Sequence, residues 1–220
     1  MSARNVVFPW KRAALRLTVA AAAALALAPV GADESPSDGG EGALDVTSTT
    51  FTSGSTLPLS AIYDDVVNGL NVCTPDGAQG LDQSPELRWA HVPHRTRSFV
   101  VILYDPTAAF THWGMYNIAP DVHRLPENAG VAASAFGTQV NNDFGDPHYD
   151  GPCPPAGVEP FIHRYVFTVY ALDERLTLES SANFPANAET LYHALIRAGR
   201  EGHILASGSL GGVYSATPAD

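Results

Sequence analysis

The chain has 220 residues, of which 45% are hydrophobic and 16% are charged, a composition typical of one ordinary globular domain. Its 23 acidic and 12 basic residues give a formal charge of −11. This balance argues against a nucleic-acid-binding protein, because such proteins cluster Lys and Arg against phosphates. Lys11 is the only lysine. Removal of the segment that carries it would exclude functions that need a phosphate-binding, Schiff-base or general-base lysine.

Residues 1–32 have the pattern of a cleaved signal peptide. Four basic residues precede a short apolar run at Leu17–Ala28, and small residues follow it. The run is shorter than the roughly 20 residues that a membrane-spanning helix needs. We therefore expect a periplasmic or secreted protein with no transmembrane segment in the mature chain. Cleavage near Ala32 would take the formal charge from −11 to −15, because the leader holds four basic and no acidic residues.

The chain has two cysteines, Cys73 and Cys153. In an oxidising compartment such a pair is more often bridged than free, so the sequence favours a structural disulfide. Two buried reduced thiols are the alternative. A zinc site has no support, because neither cysteine belongs to a CxxC motif.

Residues 33–43 are polar, acidic and rich in glycine, which predicts a flexible lead-in to a single domain over residues 44–220. In this domain, short apolar runs alternate with Gly, Pro, Asn and Asp, which indicates a mainly β protein. Three β-favouring runs predict strands, and the third is expected to be buried on both faces. They are Ser98–Tyr104, Trp113–Ile118 and Tyr165–Leu172.

The C-terminal part predicts one helix and one further strand. Asn187 can cap a helix over Asn187–Ala198, and Gly199 or Gly202 can end it. Ile204–Tyr214 is a candidate final strand, although three glycines interrupt it. The expected architecture is a β-rich domain with one late helix and two packed sheets.

Polar residues lie where the predicted strands begin or end, while the common G-x-S-x-G and H-E-x-x-H motifs are absent from the sequence. Asp105 closes one run, His112 precedes the next, and His163 opens a third. A rigid proline-rich loop lies at Gly151–Pro155. Strand ends joined by stiff loops are where β scaffolds place binding sites.

Several stretches, taken in order, carry a resemblance to a known family. They are Asp82–Trp89, Ser98–Pro106, His112–Ile118, Asn142–Gly145, Tyr149–Pro155, His163–Leu172 and Gly202–Ala206. Together they resemble the phosphatidylethanolamine-binding protein family, also called Raf-kinase-inhibitor-like proteins, and most closely its bacterial YbhB/YbcL-type branch. The similarity extends over roughly residues 51–214, and it is carried by the order and spacing of the motifs rather than by any one of them.

The resemblance implies two antiparallel sheets with a C-terminal α-helix, and a small pocket for phosphate-like anions that include phospholipid headgroups. The pocket residues carried over to this sequence are Asp105, His112, Cys153, Pro154, Pro155, His163 and Tyr165. Exported members of this branch carry a cysteine just before the Pro-Pro pair, bridged to one near the start of the domain. Cys153 and Cys73 match that arrangement.

The chemistry of these residue types agrees with an anion pocket. His112 and His163 can supply N–H donors and Tyr165 an O–H donor to the oxygens of a phosphate or carboxylate. Asp105 beside an imidazole would favour its charged form, or would accept from a ligand ammonium group.

The segment Asp105–His112 departs from the usual sequence of the family. Thr107 and Ala109 replace an Asp and a Pro, the segment is several residues shorter, and Phe110 stands where many members have Trp. We expect a differently shaped pocket mouth and a weaker role in amine or metal binding.

Three functions follow from the sequence. The first is an exported, non-enzymatic binding protein for a small anionic ligand or phospholipid headgroup, with no cofactor, metal or nucleic acid. The alternative is an inhibitor or modulator of a protease or kinase-type partner. The third is a hydrolase with a metal held by two histidines and one carboxylate, namely Asp105, His112 and His163.

Overall fold

The computed structural model describes residues Gly42–Pro218. Its strands are β1 Gly42–Ala43, β2 Asp45–Thr47, β3 Val66–Val67, β4 Leu70–Asn71, β5 Leu87–Ala90, β6 Ser98–Asp105, β7 Phe110–Ile118, β8 Arg124–Leu125, β9 Thr138–Gln139, β10 His163–Leu172 and β11 Ile204–Tyr214. A 3-10 turn spans Leu59–Ala61, and one α-helix, α1, spans Ala188–Glu201. In the range that the structure describes, no helix is long and apolar enough to cross a membrane.

The strands form one large sheet, one small sheet and a hairpin. The large sheet has the order β1-β11-β10-β6-β7-β9, the small sheet has the order β2-β5-β8, and β3 pairs with β4. Among the strands given above, every pairing is antiparallel except that of β1 with β11. The predicted mainly β fold, with antiparallel sheets and a C-terminal helix, is therefore confirmed.

Strand β6 contributes to two hydrophobic cores because its side chains alternate between the faces of the large sheet. Phe99 and Val101 belong to the core shared with the small sheet. Val100 and Ile102 belong to the core that α1 covers on the other face. The continuous apolar run that predicted this strand thus reflects burial on both faces.

The prediction that both faces of β10 are buried is wrong, because only one of its faces is fully buried. Val166, Thr168 and Tyr170 are half-buried, because the core that α1 covers includes β10 only at Leu172, with Tyr170 packed against its edge. They contribute to an open groove of about 510 Å³. The groove is lined by Ile102, Tyr104, Pro106, Val166, Thr168, Tyr170 and Tyr192.

The helix begins where the sequence predicts and ends three residues later. Asn187 accepts a hydrogen bond from the backbone N–H of Thr190, and the Thr190 hydroxyl accepts one from the backbone of Asn187. This reciprocal pair satisfies N–H groups that the first turn leaves free. The end is at Gly202, whose φ of 77° is left-handed, whereas Gly199 lies inside the helix.

The lead-in predicted over residues 33–43 needs a correction at its end. Gly42 and Ala43 form β1, which pairs with Ala206 and Ser207 of β11. A backbone can complete a sheet edge without apolar side chains, so polar composition alone did not reveal this strand. The predicted signal peptide and the rest of the lead-in lie outside the described residues.

Candidate ligand-binding pocket

The pocket lies at one end of the large sheet, where three neighbouring strands begin or end. Asp105 is the last residue of β6, His112 is the third residue of β7, and His163 is the first of β10. Because β6 is antiparallel to both neighbours, its end meets the starts of β7 and β10. This topology brings together side chains that are up to 58 residues apart in sequence.

The pocket is a cavity of about 220 Å³, below the size of most pockets for drug-like ligands and suited to a small group. Its lining residues are Asp105, Ala108, Phe110, His112, Phe144, Cys153, Pro154, Pro155, His163 and Tyr165. All seven residues that the sequence assigned to a ligand pocket therefore line one cavity. Ala108, Phe110 and Phe144 are additional.

Asp105 and His163 form a buried pair. His163 Nδ1 lies 2.6 Å from Asp105 Oδ2, and the two side chains are 9% and 2% exposed. The other carboxylate oxygen, Oδ1, accepts the backbone N–H groups of Thr107 at 2.7 Å and Ala108 at 3.2 Å. Asp105 is thereby fixed on both oxygens and orients the His163 ring.

His112 differs from the expectation that both histidines offer N–H groups to a ligand. Its Nδ1 lies 2.9 Å from the backbone carbonyl oxygen of Asp150, and because a carbonyl can only accept, this nitrogen carries the hydrogen. Burial lowers the pKa of His112, and the carbonyl of Asp150 opposes that shift only in part. The ring is thus held mainly in its neutral form, with its N–H directed at the protein.

Tyr165 keeps its hydroxyl hydrogen at all ordinary pH values. Burial, and next the negative charge of Asp105, raise the pKa of Tyr165 far above its usual value. Its ring lies 5.3 Å from the His112 ring, centre to centre and edge to face. The hydroxyl hydrogen is shared with the Asp105 side chain, whose hydrogen bond is a further cause of the raised pKa.

Asn142 organises the loop behind the pocket and was missed as a functional residue. Its side-chain oxygen accepts three backbone N–H groups, from Phe144, Gly145 and Asp146. Its amide nitrogen donates to the His112 carbonyl at 3.1 Å and to the Asp150 side chain. The sequence offered only an Asn-Asp pair ahead of a glycine, which indicates a turn but not this network.

The disulfide predicted between Cys73 and Cys153 is present, with Cα atoms 4.5 Å apart. It joins the segment after β4 to the proline-rich wall of the pocket. Tyr63 adds a second link, because its backbone N–H donates to Pro152 at 3.3 Å and its ring stacks on Phe144. The bridge therefore braces the wall on which Pro154 and Pro155 lie.

The short turn between β6 and β7 explains the departures from the family pattern. Ala109 has a φ of 53°, which proline cannot adopt because its ring holds φ near −65°. Thr107 uses its hydroxyl to accept the backbone N–H of Arg164 at 3.0 Å. Phe110 then packs edge to face on Phe144, with ring centres 4.7 Å apart, and both rings line the pocket.

The three residues of the metal-site alternative do not form a ligand cluster. Asp105 and His163 are bonded to each other, and His112 Nδ1 is directed at a carbonyl. Within residues 42–218, the one group whose ligand atoms lie within 4.8 Å of one another is Asp146, His148 and Asp150. These residues belong to the loop that Asn142 organises.

Replacing Asp82 by Asn is expected to stabilise the protein at pH 7 to 8. Asp82 Oδ1 accepts the Gly151 N–H at 2.7 Å, but burial raises the pKa of Asp82 from 3.8 to about 6. A pKa raised by folding means that ionisation opposes folding, so stability falls as the pH rises from 3.8 through 6. We expect Asp82→Asn to gain on the order of 1–2 kcal/mol at pH 8 in denaturant unfolding, after allowance for solvent screening.

The same comparison at pH 4 is expected to show almost no gain, since Asp82 is then mostly protonated in the folded protein. Asn also suits the backbone φ of 52° at this position. Asp65→Asn, at an exposed neighbouring carboxylate, is the control. An equal gain from Asp82→Asn at pH 4 and pH 8 would contradict the assignment to burial.

The fold and the pocket are those of a β protein with a cavity sized for a small group, and comparisons with known proteins place it in a family. The sequence model of the phosphatidylethanolamine-binding protein family matches residues 47–215. The chain belongs to the phosphatidylethanolamine-binding protein family. This is a family of phospholipid- and anion-binding proteins.

Individual relatives agree with that membership. The UPF0098 protein YbhB of Escherichia coli (strain K12) is 37% identical over 147 residues, which are 63% of this chain and 85% of the relative. The crystal structure of E. coli YbcL, titled a new member of the mammalian family, superposes with a TM-score of 0.63 at 29% identity, covering 78% of this chain and 98% of that one. A Chlamydia trachomatis homologue has a TM-score of 0.59 at 30% identity, covering 82% and 100%.

Proposed function

We propose that this protein is an exported, non-enzymatic binding protein whose pocket takes phosphate-like anions, either free or as phospholipid headgroups. The observation that carries the proposal is the convergence of two buried imidazoles and a protonated phenol on one cavity of about 220 Å³. His163, His112 and Tyr165 offer polar atoms, and the Asp105 carboxylate fixes one of them. The aromatic and proline walls exclude water, which strengthens each hydrogen bond to a ligand.

Binding without chemistry is supported by the residues that line the cavity. Among them, no Ser or Thr hydroxyl and no free thiol lies beside an imidazole, because the Cys153 sulfur is in the disulfide. The Tyr165 hydroxyl is a poor nucleophile, since its raised pKa keeps it protonated. A nucleophile activated by a neighbouring base is thus lacking in the cavity.

Export is supported by the basic and apolar leader pattern and by the disulfide, which suits an oxidising compartment. The acidic composition gives no long-range attraction to anionic membranes. Recognition of a headgroup therefore depends on local donors inside the pocket.

The test is a titration of the full chain with phosphoethanolamine, inorganic phosphate and acetate, followed through histidine NMR resonances. We expect saturable shifts of two histidines, and at least a tenfold loss of affinity in His112→Ala and in His163→Ala, because each loses a polar contact in a desolvated site. His94→Ala, at an exposed loop histidine, should bind like the wild type. Wild-type affinity in both pocket variants would disprove the proposal.

A protein-inhibitor role has one observation in its favour. The loop that joins the proline wall to His163 exposes Val158, Phe161 and Ile162, and exposed apolar residues at a pocket rim suit a protein partner. A folded wild-type protein that shifts with none of the three anions would favour this function over ligand binding, and the partner would then be sought among exported proteases.

A further inference from the structure

The two imidazoles of the pocket are backed by different chemical groups. His163 Nδ1 faces the carboxylate of Asp105 at 2.6 Å, whereas His112 Nδ1 faces the Asp150 carbonyl oxygen at 2.9 Å. Asp105 is thus the group behind His163 Nδ1, and the His163 ring lines the pocket beside it. Neutral His112 instead has a lone pair on Nε2, the one ring atom left to hydrogen-bond a ligand. His112 therefore offers a ligand an acceptor inside the pocket.

The surroundings of His112 favour this acceptor state. The residue is 4% exposed, and aromatic rings flank it: those of Phe110, Phe144 and Tyr165, at 5.0, 5.7 and 5.3 Å between centres. Rings of this kind solvate a cation less well than water does. Burial accordingly dominates and lowers the pKa of His112.

The charged and titratable groups near His112 come from three parts of the chain. Asp105 comes from β6, Asp143 from the loop after β9, and His163 and Tyr165 from β10. The carbonyls of Asp150 and Gly151 and the charges of Asp105 and Asp143 act in the opposite direction to burial, and burial outweighs them. Tyr165, with its raised pKa, remains a neutral donor.

We propose that the pocket selects a phosphate monoester in its hydrogen-bearing form, with the P–OH donating to His112 Nε2 and the charged oxygens lying toward His163. The inference rests on the proposed anion-binding function and adds the protonation state and the ester class of the ligand. A fully deprotonated oxyanion, or a diester with no other donor, leaves the buried His112 acceptor unpaired. An unpaired buried polar group is costly, so the discrimination is large.

Methyl phosphate and methyl sulfate provide a matched pair of probes. At pH 5.5 both are tetrahedral monoanions, and they differ chiefly in that the phosphate carries a hydrogen, since the second pKa of a phosphate monoester is about 6. Calorimetric titration of the full chain is expected to show at least tenfold tighter binding of methyl phosphate. Dimethyl phosphate, which has no P–OH, should bind as weakly as methyl sulfate.

At pH 8 methyl phosphate is a dianion, and its binding should take up about one proton. That uptake is measured from the binding enthalpy in buffers of different ionisation enthalpy, and the affinity should fall about tenfold between pH 7 and pH 8. Equal affinity for methyl phosphate and methyl sulfate at pH 5.5, without proton uptake at pH 8, would overturn the inference while leaving the anion pocket intact. Absence of binding by all three probes and by inorganic phosphate would overturn the proposed function itself.

A second measurement uses the wild-type protein, so it does not require any variant to fold. The ¹⁵N shift of His112 Nε2, in the wild-type protein with labelled histidine, distinguishes a lone pair from an N–H. We expect a lone pair in the free protein and a hydrogen-bonded or protonated nitrogen with methyl phosphate, but no change with methyl sulfate. An N–H on Nε2 of the free protein at pH 7 would contradict the proposal. His112→Phe should abolish the discrimination between the two probes, and His94→Ala should retain it.

A phosphate monoester can be a soluble compound or the headgroup of a lipid, and two further arms separate these sources. Phosphatidate in phosphatidylcholine vesicles presents the monoester on a bilayer, whereas phosphoethanolamine presents it in solution. Sedimentation of the protein with phosphatidate vesicles, reversed by added methyl phosphate, would assign the lipid form. Binding of phosphoethanolamine without sedimentation would assign the soluble form.

Discussion

Replacing Cys73 and Cys153 together by alanine is expected to lower the free energy of unfolding by about 4 kcal/mol. The bridge joins residues 80 positions apart, and opening a loop of that length restores a large conformational entropy to the unfolded chain. For a domain of this size, the loss corresponds to a fall of roughly 10 °C in the unfolding midpoint. Calorimetry of the variant and of the wild type measures it directly.

The reduced wild-type protein is the control, because reduction opens the bridge without changing any side-chain volume. Cys73 is fully buried, so part of the effect of the alanine variant comes from the cavity it leaves. Reduced protein and variant should both bind phosphoethanolamine about tenfold more weakly, since Cys153 lies in the pocket wall. A midpoint that moves by less than about 2 °C on reduction would show that the bridge adds little to stability.

Asp105→Asn is expected to weaken anion binding about 100-fold and to destabilise the fold by about 2–4 kcal/mol, because it breaks a buried, hydrogen-bonded pair from one side. Asparagine keeps an oxygen for the N–H groups of Thr107 and Ala108. Its amide nitrogen, however, cannot accept from His163 Nδ1. The His163 ring then loses its orientation toward the ligand.

Asp143→Asn is the matched control for Asp105→Asn. Asp143 Oδ2 accepts the Thr111 backbone N–H at 2.7 Å, and the residue is exposed and bonds neither imidazole of the pocket. Affinity should change by less than about threefold in this variant, as expected for loss of a charge that solvent screens. If the two variants lost affinity equally, negative charge near the pocket would matter and the Asp105–His163 pair would not.

Local sequence patterns were sufficient for most of the elements that support the pocket. The run from Ser98 to Tyr104 predicted β6 because it is continuous and β-favouring, and Asn187 predicted the helix start because its side chain can cap the first turn. Polar residues at strand ends pointed to Asp105, His112 and His163. These signals are local because they depend on side-chain alternation, capping and turn chemistry within a few residues.

Other features depend on segments that are distant in sequence. The half-exposed face of β10 follows from the extent of the core under α1, which includes β10 only at Leu172 and the edge of Tyr170. No property of residues 165–172 specifies that extent. Strand β1 forms because the edge of β11 is free to accept a neighbouring backbone. Asn142 is important through bonds to His112 and Asp150, and a single Asn-Asp pair carries no information about them.

The sequence by itself determined the mainly β architecture and the disulfide partners, because strand patterns, turn residues and cysteine count are properties of the chain. It also gave the pocket residues, through strand ends and through the resemblance to the family. The tertiary structure decided which atoms those residues present to a ligand. His112 is an acceptor rather than a donor because a carbonyl 38 residues away occupies its Nδ1 hydrogen. The hydrogen-bonding state of a side chain is set by whatever the fold places behind it, and that group lies in another segment of the chain.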